Sequence, residues 1–74
     1  MNKQDLVKVL TKEKIPNHFY SLDGGLPYDA WCLRKTAVGW EVYYSEHGEI
    51  YMLKNFTSEE KACEYMYKKL KNIV

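Results

Sequence analysis

The stretch Ala30–Lys54, AWCLRKTAVGWEVYYSEHGEIYMLK, decides the fold. Three runs rich in aromatic and β-favouring residues stand in it: Ala30 to Thr36, Trp40 to Ser45 and Glu49 to Lys54. The links Ala37-Val38-Gly39 and Glu46-His47-Gly48 are short, and each carries a glycine for a tight turn. A three-stranded antiparallel meander is the expected product. Opposite charges suggest its register. Arg34 opposite Glu41 also sets Leu33 opposite Val42 and Trp31 opposite Tyr44. A matching second hairpin sets Val42 opposite Leu53, Glu41 opposite Lys54 and Tyr43 opposite Met52.

Alternation along the strands then sorts side chains by face. Trp31, Leu33, Val42, Tyr44, Tyr51 and Leu53 are expected to point toward a core. Cys32, Arg34, Glu41, Tyr43, Met52 and Lys54 are expected on the other face, as a charged row beside an apolar row. Ordinary cross-strand pairing on a solvated sheet accounts for that pattern. A binding face accounts for it as well, because grouped Tyr and Met with flanking charge is interface-like.

Helices flank the meander. Leu6, Val7, Val9, Leu10 and Ile15 recur at helical spacing and predict a first helix from about Lys3 to Lys14. Asn2 is its expected N-cap, Asp5 favours the positive end of the dipole, and Pro16 ends it. In the last helix, Thr57 with Glu60 forms a capping-box pattern. Ala62, Cys63, Met66, Leu70, Ile73 and Val74 fall on one stripe. Glu59 and Glu60 near its start and Lys68, Lys69 and Lys71 near its end match the dipole, so the lysines need no nucleic acid.

Between the first helix and the first strand, Asn17 to Asp29 reads as a structured loop. Gly24 and Gly25 permit unusual backbone angles, and Pro27 restricts Leu26. Phe19, Tyr20, Leu22, Leu26 and Tyr28 are expected to fold this loop back over the core. The expected class is α+β, in the order α-β-β-β-α, with both helices packed on one face of the meander.

A chain of 74 residues forms one domain. A core this small rarely supplies more than about 3–5 kcal/mol net. Cys32 and Cys63 are the only cysteines, and without a signal peptide they are expected as two free, buried thiols. Eleven basic and ten acidic residues leave a formal charge of +1. A dedicated nucleic-acid binder usually shows a basic excess. No apolar run approaches the roughly 20 residues that cross a bilayer. The start MNKQDLVKVLTKEKI is charged throughout, so a complete cytoplasmic protein is expected, with export by a route that reads no cleaved signal left open.

Catalytic groupings are scarce. His47 sits between carboxylates in the turn Glu46-His47-Gly48-Glu49, but no nucleophile or oxyanion site neighbours it in sequence. His18 beside Phe19 reads as packing. His18, Cys32, His47 and Cys63 lack the paired spacing of a zinc site. Gly24-Gly25 lacks the lysine and the following helix of a phosphate loop. No enzyme activity, cofactor or metal is expected. Asp23 and Asp29 flank the glycine turn, where they cap it or contact a basic partner.

The order helix, three strands, helix is shared with the double-stranded-RNA-binding domain. There a lysine cluster at the start of the last helix grips phosphates. Here that position reads Thr57-Ser58-Glu59-Glu60-Lys61, and two carboxylates oppose the role.

Three segments carry a closer resemblance: KEKIPNHFYSLDGGLPYDAWCLRK, GWEVYYSEHGE and FTSEEKACEYMYKKL, together spanning Lys12 to Leu70. They resemble a small bacterial immunity-protein family associated with polymorphic toxin systems. The resemblance implies a cytoplasmic protein that binds a cognate toxin protein domain and blocks it. It supplies no catalytic residue. Partner contacts are expected from the glycine-rich loop and the outer sheet face: Asp23, Tyr28, Asp29, Arg34, Glu41, Tyr43 and Met52, with Tyr43 as the central anchor. A basic toxin cleft would be met by Asp23, Asp29, Glu41, Glu46 and Glu49. A small nucleic-acid-binding domain and an uncommitted regulatory module are the competing readings.

Overall fold

Helix α1 spans Lys3–Lys12 in the computed structural model, which describes residues 1–73. A full capping box opens it. The Asp5 amide donates to Asn2 Oδ1 at 2.8 Å, and the Asn2 amide donates to Asp5 Oδ2 at 3.1 Å. Its end is closed by the Lys14 amide on the Thr11 carbonyl at 3.1 Å and the Ile15 amide on the Leu10 carbonyl at 3.0 Å. Lys14 takes the left-handed φ of 58° that this Schellman pattern requires. The helix therefore stops two residues before the expected Lys14, and Pro16 follows a chain already turned. Leu6 and Leu10 are buried, while Val7, expected on the same stripe, is exposed.

Helix α2 spans Glu59–Lys71. Its N-cap is Ser58, whose Oγ accepts the Lys61 amide at 3.2 Å. The cap expected at Thr57 is thus displaced by one residue. Both hydroxyls suit the role, and the helix phase that buries the stripe selects the second. Ala62, Cys63, Met66 and Leu70 are buried as the spacing predicts. Ile73, expected to extend that stripe, is exposed. Val74 lies outside the described residues.

The sheet is four-stranded and mixed, in the order β1-β2-β3-β4: Tyr20–Ser21, Ala30–Thr36, Gly39–Glu46 and Glu49–Phe56. The short β1 pairs parallel to β2, Tyr20 with Trp31 and Ser21 with Cys32. The expected three-stranded antiparallel meander is corrected by this addition. Two residues are too few to show a period of two, so the strand was hidden in an apparent loop. A single 3-10 turn, Asn17–Phe19, leads into it.

Strands β2 and β3 pair in the register that Arg34 and Glu41 predict, including Leu33 with Val42 and Trp31 with Tyr44. Two left-handed residues, His47 at φ 51° and Gly48 at φ 79°, form the turn into β4. Tyr44 pairs with Tyr51, but beyond a bulge Val42 pairs with Lys54 and Glu41 with Asn55. The expected partners Leu53 and Lys54 are displaced by one residue. Met52, at φ 53°, lies in this irregularity. The slip moves Lys54 to the helix face, where its ammonium sits 5.1 Å from the Tyr65 ring centre. Alternation turns Leu53 away from that face. Farther along, a Cβ on Gly39 would stand 2.3 Å from the Phe56 carbonyl oxygen, so the β3–β4 contact there requires glycine.

One core unites Leu6, Leu10 and Ile15 with Trp31, Leu33 and Val42 of the sheet and Ala62, Cys63, Met66 and Leu70 of α2. Both helices thus serve one face. Phe19, Tyr20 and Leu22 close its margin, as expected of the loop. Among the described residues no helix is long and apolar enough to cross a membrane.

Candidate interaction surface

The sheet face turned from the helices is not free. Tyr43 and Cys32 are both 0% exposed, beneath the Gly24-Gly25 loop. The Tyr43 hydroxyl donates to the Gly25 carbonyl at 2.8 Å. Ser21 Oγ donates to the Gly24 carbonyl at 2.7 Å and tightens the same loop. Gly24 takes φ 74°, and a Cβ added there would meet Arg34 Cδ at 3.3 Å. Burial raises the ionisation points of Tyr43 and Cys32. The exposed position expected for Tyr43 is therefore corrected. A ring that alternation places on the outer face is covered because two glycines let the backbone approach it.

Arg34 and Glu41 brace this cover. Both Arg34 Nε, at 2.9 Å, and Nη2, at 2.5 Å, donate to Glu41 Oε1. The guanidinium carbon stands 4.9 Å from the Tyr43 ring centre. The bond to Glu41 raises the Arg34 pKa further. Asp23 is engaged too: Lys3 Nζ lies 2.5 Å from its Oδ1, tying α1 to the loop. Four of the expected contact residues, Asp23, Arg34, Glu41 and Tyr43, thus have intramolecular partners.

The other expected residues stand clear. Tyr28 is 76% exposed and Met52 61% exposed, and Asp29 is exposed between Tyr28 and β2. Tyr28 meets the His47 ring edge-on, with centroids 6.3 Å apart. Leu26 and Tyr28, expected to cover the core, instead face solvent. On the free edge strand β4, Ile50, Tyr51, Met52 and Leu53 are all exposed. Sequence reasoning missed Ile50, and it assigned Tyr51 and Leu53 to the core. The run IYML was readable as apolar, but the bulge and the edge position that expose it were not.

Acidic groups collect at the end of the sheet nearest Tyr28. Asp29, Glu46 and Glu49 form no ion pair with lysine or arginine among the described residues. Glu46 Oε1 lies 3.9 Å from His47 Nε2, and Glu49 Oε2 accepts the Tyr51 hydroxyl at 2.6 Å. Burial, then the charges of Asp29 and Glu46, raise the pKa of Tyr44 nearby. The bond to Glu49 does the same for Tyr51. This end combines unneutralised carboxylates with exposed aromatic and aliphatic side chains.

No protein-family model matches the chain, and no curated protein or solved structure matches it.

Proposed function

We propose that the protein is an immunity-type binding protein that neutralises a cognate bacterial toxin domain by direct contact, in the cytoplasm. The resemblance of Lys12 to Leu70 to such a family supports the reading. The observation that carries it is the surface at one end and edge of the sheet. Leu26, Tyr28, Ile50, Tyr51, Met52 and Leu53 expose apolar and aromatic area there, beside Asp29, Glu46 and Glu49, which pair with no lysine or arginine among the described residues. Aromatic anchors with adjoining charge are what a protein interface uses. The carboxylates favour a partner with a basic contact surface, which they would draw in during association. Tyr43, with Arg34 and Glu41 beside it, holds the loop that carries Leu26 and Tyr28.

Co-expression with the toxin domain encoded next to this chain tests the reading. The wild-type protein protects the cell and forms a complex with that domain. A folded variant carrying Tyr28→Ala and Met52→Lys loses at least about 2 kcal/mol of binding, the usual threshold for an anchor. Full protection by that variant would remove the proposed surface. Failure of the wild-type protein to bind the domain would remove the function.

A further inference from the structure

We propose that Asp29, Glu46 and His47 form a site for a divalent transition-metal ion of the zinc class. One ligating atom of each side chain lies within 4.8 Å of the others. Asp29, from the loop before β2, meets the sequence neighbours Glu46 and His47 at the β3–β4 turn in this way. The sheet sets their separation: Asp29 precedes Ala30, Ala30 pairs with Ser45, and Glu46 follows Ser45. The trio therefore stands at the end of a rigid ladder.

The donor set selects the ion. Two carboxylates balance a divalent charge. The imidazole nitrogen favours zinc, nickel or copper over calcium and magnesium, which take oxygen ligands. Ligands about 2.0–2.1 Å from a tetrahedral zinc lie roughly 3.4 Å apart. Glu46 Oε1 and His47 Nε2 stand 3.9 Å apart, close to that separation. The imidazole is backed by the Tyr28 ring. Facing carboxylates repel, and no lysine or arginine among the described residues pairs with Asp29 or Glu46 to relieve this. A bound cation would relieve it. Three protein ligands leave a fourth tetrahedral position for water or a partner's side chain. An open recess of about 310 Å³, lined by Leu26, Tyr28, His47 and Gly48, adjoins the trio and gives it access to solvent.

The sequence did not show this site. Asp29 is remote from Glu46 and His47 in the sequence, and only the β2–β3 pairing brings them together. The inference is independent of the toxin-binding reading, and its test needs no partner.

Zinc chloride titrated into the metal-free full chain, followed by calorimetry, is the experiment, with cobalt absorption as a second probe of ligand number. One saturating ion per chain is expected. His47→Ala and Asp29→Asn each weaken binding at least about tenfold, while His18→Ala leaves it unchanged. These exposed substitutions leave the fold intact, which circular dichroism verifies. Absence of saturable one-to-one binding would overturn the proposal. So would unchanged affinity in His47→Ala, or an equal loss in His18→Ala.

Discussion

One face of the sheet meets two helices, and the other meets a glycine loop. On the helix side, Leu33 and Val42 pack against Leu6, Leu10, Met66 and Leu70, an apolar contact with little directionality. On the loop side, Tyr43 is held by a hydroxyl bond to Gly25, an overlying guanidinium and the close approach of Gly24 to Arg34. The first cover depends on volume and tolerates hydrophobic exchange. The second depends on particular atoms in particular places. Among the described residues no third α-helix covers the second face. Two glycines and one tyrosine close it.

The largest effect should come from the helix side. Leu70→Ala is expected to lower unfolding free energy by about 2–5 kcal/mol, measured by urea denaturation. Unchanged stability would show that the α2 stripe does not fill the core. Alkaline pH should act next. Burial raises the Cys63 thiol to about 11, against an ordinary 9.0. The native state then holds this proton more tightly than the unfolded chain. Stability from this group is full below about pH 9 and is lost as pH rises toward 11, by up to roughly 1.4 kcal/mol per unit. Cys63→Ala should flatten that decline. An identical slope in the variant would assign the loss to other groups.

Much of the fold was legible because its signals are periodic. Arg34 and Glu41 set the first hairpin correctly, and the α2 stripe identified Met66 and Leu70. The second hairpin failed halfway because a bulge at Met52 inserts a residue without altering composition. Strand β1 escaped because Tyr20 and Ser21 are defined only by β2 beside them. Of the residues expected to meet a partner, the structure exposes Tyr28, Asp29 and Met52 and buries Tyr43, the expected anchor. Alternation told which way its ring points, but not that the loop returns over it. Pairing chemistry was also hidden: only in the folded chain does Lys3 take Asp23, while Asp29, Glu46 and Glu49 pair with no lysine or arginine among the described residues.

Smaller effects sharpen the contrast between faces. Tyr43→Phe keeps the ring and removes the bond to Gly25. It should cost about 1 kcal/mol and speed amide exchange at Gly24, Gly25 and Leu26, with α1 and α2 unaffected. Equal exchange across both faces would mean that the loop is not held separately. Ser45 Oγ is buried without a hydrogen-bond partner. Ser45→Ala is therefore expected to leave stability unchanged or slightly higher in the same denaturation assay. A clear loss would reveal a partner for that hydroxyl.

The central claim is that a toxin partner meets the Tyr28 end and the β4 edge, because the loop already occupies the Tyr43 face. Amide hydrogen exchange of the protein, alone and with the neighbouring toxin domain, measures this directly. The account predicts new protection at Leu26, Tyr28 and Asp29 and at residues 50–53 on complex formation. New protection along α2 from Glu59 to Lys71, with none in those two segments, would contradict it.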